Sequence, residues 1–109
     1  MEPILLVMSN LPDRDSALKL AHSLVEARLA ACVNVLAQCT SVYRWKGEAE
    51  TAAEVPVLIK TRESLFPRVE EAIRRMHHYE LPEVEAVPIT ACLAAYLEWV
   101  AVETAPNPV

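Results

Sequence analysis

Ser41-Val42-Tyr43-Arg44-Trp45-Lys46-Gly47-Glu48 decides the fold, because it holds the single glycine of a 109-residue chain at the point where two β-prone runs meet. Before it, residues 32–46 carry Val33, Val35, Val42, Tyr43 and Trp45; after it, Val55, Val57 and Ile59 alternate up to about Thr61. A glycine between two such runs supplies the turn of a hairpin. Pro56 lies inside the second arm without a ladder donor, so an edge or a bulge is expected there. Each arm approaches about 14 residues, or about 45 Å at strand rise, against a radius of gyration of about 13 Å for a domain of this length. The ribbon therefore overhangs its own core and shows apolar faces and unpaired edges, for which another copy of the chain is the obvious cover.

Outward from the hairpin, residues 4–8 form a short apolar run that reads as a buried strand, closed by the turn and helix-start signal Asn10-Leu11-Pro12-Asp13. From Asp13 to about Arg28, Leu18, Ala21, Leu24 and Val25 recur at helical spacing, with Asp15, Lys19, His22 and Glu26 on another face. Ser64 is placed to cap a second helix in which Phe66, Val69, Ile73 and Met76 step by three and four. Glu70 with Arg74 and Glu71 with Arg75 are its surface pairs, and it stops around His77 and His78. Residues 82–89 read as a last strand, and Leu93, Tyr96, Leu97 and Val100 as a short third helix before a mobile tail over 105–109. The order β-α-β-β-α-β plus a helix predicts an α+β, ferredoxin-like sandwich with a long central hairpin and a C-terminal helix, one domain over residues 1–104.

Composition narrows the function. With 53% apolar and 23% charged residues the chain can bury a core. A net charge of −5 works against a surface that tracks phosphates, so nucleic acid is not an expected partner. RNA-binding domains share this strand order, yet the central strands lack the stacking aromatics such domains use. The apolar run at residues 4–8 is too short for a signal peptide or a membrane span, which points to the cytoplasm and to no membrane partner. Cys32, Cys39 and Cys92 form no Cys-x-x-Cys pair and no even-numbered framework, so buried thiols are expected rather than a zinc knuckle or a disulfide scaffold. One glycine leaves no phosphate-cradling loop, and Ser9 or Cys39 joins a histidine only by assumption, so no enzyme is expected.

Five blocks, in order, resemble the signature segments of the CutA family: residues 29–35, 41–48 and 59–61, then 77–83 and 96–99. The resemblance spans nearly the whole chain. It implies a homotrimer whose long hairpins pair between subunits, and an association with tolerance of copper and other divalent cations. Departures occur at His78, Ala37-Gln38 and Cys92, where the family pattern has proline, a Pro-Gly bend and glycine. A cysteine that some members carry after the first strand falls on Ser9 here.

Neutral imidazole and carboxylate are good ligands for Cu(II) and Zn(II), and His77, His78, Glu80 and Glu83 lie within seven residues of one another. The spacing matches no closed structural zinc set, and a solvated or interface turn is the competing reading. His77 is the first metal-ligand candidate. Glu83 follows, because the resemblance places both at a cleft between subunits. Tyr43 and Trp45 suit subunit contacts. The resemblance further implies that Lys60, Glu54 and Tyr79 line an inter-subunit pocket for a small anion or metal complex. Two functional readings result: a trimeric cytosolic metal-tolerance protein with no obligatory cofactor that binds Cu(II) or a similar cation in clefts between subunits, or a small-molecule sensor of PII-like shape with incidental metal binding.

Overall fold

Two consecutive residues with positive φ, Lys46 at 50° and Gly47 at 86°, close the ribbon in the computed structural model, which describes residues 2–106. They form the loop between Trp45 and Glu48, which pair across strands β3 (Cys39–Trp45) and β4 (Glu48–Arg62). A two-residue loop with both φ values positive has the twist of its flanking strands, and Asn-Gly suits it best. A lysine there is strained by about 1 kcal/mol. Lys46→Asn is therefore expected to stabilise the chain by about 0.5 kcal/mol, read as a higher urea midpoint at unchanged slope. An equal or lower midpoint would show that the turn stores no strain.

β4 is the spine of the sheet. It pairs antiparallel with β1 (Ile4–Leu11) on one side, and with β2 (Cys32–Val35) and then β3 on the other; β5 (Glu85–Pro88) pairs with the far edge of β1. Val35 faces Val57 while Cys39 faces Glu54, so the β2–β3 side holds one residue more than β4 over that interval. That extra residue is a bulge in the first arm, within residues 36–38 and opposite Pro56, where an edge or a bulge was expected in the second; Pro56 itself stays in register with Asn10 of β1. The carbonyl of Pro56 still accepts from the Leu36 N–H at 2.9 Å. Beyond the bulge the ribbon leaves the body, and the molecule reaches 47 Å in its longest dimension with a radius of gyration of 14.7 Å. Residues 42–44 and 46–51 are exposed, Val42 to 74%.

Alternation sorts the strands into two faces. Leu5, Val7 and Leu11 of β1 and Val55, Val57 and Ile59 of β4 meet α1 (Arg14–Glu26) and α2 (Phe66–Met76), which bury Leu20, Leu24, Val69 and Ile73 against them. Asp13 caps α1, its carboxylate accepting from the Ser16 N–H at 2.8 Å. The cap expected from Ser64 is not made. A 3-10 turn, Glu63–Leu65, precedes α2, and the Ser64 N–H and hydroxyl both donate to Glu2, at 2.9 and 3.0 Å. Those bonds, with Arg62 behind them, hold the Glu2 carboxyl below its usual range. Of the two expected surface pairs, Glu71–Arg75 closes at 3.8 Å.

The last strand, Glu85–Pro88, is shorter than the expected residues 82–89, because Pro82 lacks a donor and Glu83 is held by the side chains of Ser9 and Asn10 instead. α3 (Ala94–Glu103) lies across the other face of the sheet at the Ile4 end, where Ile4 and Val100 are both fully buried away from the main core. Arg62 donates to the Thr104 hydroxyl and carbonyl, and Arg28 donates to the carbonyls of Val102 and Ala105 at 2.8 and 2.6 Å. Two guanidinium groups thus satisfy the free carbonyls at the end of α3. Of the tail expected over 105–109, Ala105 is held in this way and residues 107–109 lie outside the described residues. No helix among the described residues is long and apolar enough to cross a membrane. The architecture is the expected ferredoxin-like α+β sandwich with its long hairpin.

Candidate functional site

Where the hairpin leaves the sheet, three elements converge: the end of β1, the root of β3 and β4, and the connection from α2 to β5. His77 ends α2. Its Nε2 lies 2.6 Å from the Asn10 carbonyl and its Nδ1 accepts from the Tyr79 N–H at 3.2 Å. A carbonyl only accepts, so Nε2 carries the proton and the ring is the neutral tautomer. With 9% exposure and its ring centre 4.4 Å from that of Tyr79, the two rings tilted by 49°, His77 is a bracket between β1 and the connection. His77, expected as the first metal-ligand candidate, has both ring nitrogens engaged within the chain.

One step further on, the Ser9 hydroxyl donates to the Glu83 carbonyl at 2.6 Å and Asn10 Nδ2 donates to Glu83 Oε1 at 3.0 Å. These bonds tie the connection to β1 just before β5 begins its ladder, where Glu85 pairs with Met8. The Glu83 carboxylate comes near enough to Glu85 to hydrogen bond with it, and this, aided by burial and like-charge repulsion, pushes the Glu85 carboxyl up to about 7. The raised value means the folded state holds a proton that the unfolded chain releases near 4.5. Stability from this group is complete below that pH and is lost as pH rises through about 7. Carbon-13 NMR of Glu85 is expected to show titration near neutrality, falling toward the ordinary carboxylate range in Glu83→Gln. Ordinary titration in the unsubstituted chain would disprove the pairing.

Glu54 sits beside this pair on β4, 8% exposed, opposite Cys39. Burial first, and then the facing Glu54 carboxylate, push the Tyr79 hydroxyl up to about 12. Between the connection and the ribbon opens a cleft of about 610 Å³, lined by Tyr43, Trp45, Glu54, Tyr79, Glu80 and Glu83 among others. Of the residues expected to share a pocket, the structure brings Glu54, Tyr79 and Glu83 together, with His77 behind them. Lys60 is not part of the cleft. It faces Cys32 and hydrogen bonds to Asn34, six residues and about 20 Å along β4 from Glu54 at strand rise. His78 is exposed, and Glu80 pairs with Lys46 at 3.7 Å. Among the described residues, no group of three or more His, Cys, Asp or Glu side chains is arranged to hold a metal ion.

The family described as CutA1 divalent ion tolerance protein matches residues 5–103. The chain belongs to the CutA1 family. It is 40% identical over 99 residues to the divalent-cation tolerance protein CutA of Thermus thermophilus, covering 91% of this chain and 94% of that one. It is 42% identical over 97 residues to the chloroplastic protein CutA of Arabidopsis thaliana, of which those residues are 53%. The chain spans about half the length of the plant and mammalian relatives it matches. The crystal structure of CutA1 from Oryza sativa superposes with a TM-score of 0.93 at 39% identity, with 97% of each chain covered.

Within this CutA1 framework, Asn10 and Glu85 are site residues that the sequence reading missed. Asn10 was read as part of the turn closing the first strand, whereas β1 runs on to Leu11, and Glu85 stands in a four-residue strand with nothing in its neighbours to mark it. The available signal was parity, since Glu85 lies two residues from Glu83 in a segment read as a strand, which places both carboxylates on one side.

Proposed function

We propose that this CutA1-family chain works as a homotrimer that takes up divalent cations, Cu(II) foremost, on the Glu83 and Glu85 carboxylates at clefts between subunits. The observation that carries this reading is that Glu83, fastened to β1 by Ser9 and Asn10, stands beside Glu85 closely enough to push the Glu85 carboxyl up to about 7. Groups close enough to share a proton are close enough to share a dication, which neutralises both at once. Among divalent ions on oxygen and nitrogen donors, Cu(II) binds tightest. The exposed ribbon supports trimer formation, because Val42 and Tyr43 contribute little to their own chain's core. The three free cysteines suit a reducing compartment such as the cytoplasm.

Calorimetric titration of the assembled protein with Cu(II) tests the site. Binding is expected to release protons, to strengthen from pH 5 to pH 8, and to weaken at least about tenfold in Glu85→Gln. Equal stoichiometric binding by wild type and Glu85→Gln overturns the assignment. The second reading, a small-molecule sensor, draws on the cleft itself: about 610 Å³ is far more room than one ion fills and is typical of small-ligand sites.

A further inference from the structure

Glu83 is gripped at two points by consecutive residues of β1. The buried Ser9 hydroxyl donates to its carbonyl at 2.6 Å, and Asn10 Nδ2 donates to its Oε1 at 3.0 Å. Register explains the second bond: Glu85 lies opposite Met8, and the same antiparallel register carried two residues further sets Glu83 opposite Asn10. Asn10 is half-buried. Its backbone is fixed independently of its side chain by the β1–β4 ladder, where it faces Pro56.

A hydrogen bond donated to one carboxylate oxygen lowers that oxygen's strength as a metal donor and fixes the orientation of the group. Glu83 therefore offers one strong oxygen in a set direction rather than two in a free one. Ca(II) gathers about six to eight oxygens, many from bidentate carboxylates, in flexible geometry. Cu(II) and its neighbours in the transition series bind tightly to a few nitrogen or oxygen donors in a defined arrangement. Two carboxylates, one of them pinned, suit the second kind of ion.

We infer that Asn10 is a positioning residue that sets the class of cation: with Oε1 engaged, Glu83 meets a dication through one oxygen beside Glu85, an arrangement that takes a transition-metal ion such as Cu(II) and disfavours Ca(II). The inference rests on the Glu83–Glu85 reading and adds to it which dications are turned away and which residue does so. Asn10 does not touch the cation; it acts through Glu83.

The test is calorimetry of the full-length, assembled chain with Cu(II) and with Ca(II), the latter read by competition, in wild type, Asn10→Ala and Asn10→Gln. Asn10→Ala is expected to weaken Cu(II) about tenfold while Ca(II) affinity stays level or rises, so the preference for Cu(II) over Ca(II) falls at least about tenfold. Damage to the fold would lower both affinities together, which makes their ratio the readout of positioning. Asn10→Gln keeps an amide donor and is expected to restore part of the preference. In the metal-free protein, the NMR signal of the Asn10 side-chain amide is expected to move to the free-amide position in Glu83→Ala.

Equal weakening of both ions in Asn10→Ala overturns the proposal, as does an unchanged preference or an amide signal indifferent to Glu83→Ala. The two readings fail separately. Cu(II) binding that weakens in Glu85→Gln yet keeps its preference in Asn10→Ala removes Asn10 alone, whereas Cu(II) binding indifferent to Glu85→Gln removes the cation pair and the role of Asn10 with it.

Discussion

Val42→Asp is expected to convert the proposed trimer into folded single chains at micromolar concentration. Val42 is 74% exposed on the ribbon and faces Thr51, so its own chain loses almost nothing when it is replaced. In a trimer held by ribbons the same position is covered, and each copy then buries a carboxylate without a partner, at a cost of several kcal/mol in order of magnitude. Three such costs arise per assembly. Sedimentation velocity reads the mass, while far-UV circular dichroism is expected to keep its native shape, because the main core lies in the body of the sheet and its helices. An unchanged trimer mass for the aspartate variant would remove the ribbon as the assembling element, and single chains of the unsubstituted protein would remove the assembly itself.

His77→Ala is expected to destabilise the fold by about 3 kcal/mol while leaving divalent-cation affinity within about threefold. The first half follows from contacts. Truncation strands the Asn10 carbonyl and the Tyr79 N–H, and opens a cavity beside the Tyr79 ring. The second half follows from the tautomer, since the only unprotonated ring nitrogen already accepts from Tyr79. His77→Gln offers an amide donor and a carbonyl acceptor in a similar place and is expected to recover part of the stability. Urea unfolding at equal protein concentration measures all three chains, since association stabilises the folded chain by mass action. A loss of cation binding in His77→Gln with stability intact would return His77 to the role of ligand.

How much of this was legible beforehand depends on the range over which each feature is decided. The hairpin, its turn at Gly47 and a bulge at the level of Pro56 were readable, because glycine and proline act on their own backbone dihedrals and hydrogen bonds. The helices were readable from the spacing of Ala21, Leu24, Val69 and Ile73, since burial on one face imposes its period on neighbouring residues. Ala17 and Leu20 complete the buried face of α1 in place of the expected Leu18 and Val25, the latter of which is exposed. Ser64 marks where such reasoning ends. A serine before a helix is a sound cap by local chemistry, yet Glu2, 62 residues away, takes both its donors once β1 and β4 are side by side.

The site belongs to the second kind throughout. By itself the sequence determined the element order, the overhanging ribbon, the acidic balance and the types of side chain available, because each rests on local propensity or on composition. Only the tertiary structure decided that Lys60 stands apart from Glu54, that Asn10 and Tyr79 occupy both nitrogens of His77, and that Glu83 meets Glu85. The reason is physical: the distance between two side chains from different elements is set by strand register and by the packing of the whole sheet. A single residue's chemistry fixes what it can bond to and leaves open which partner arrives.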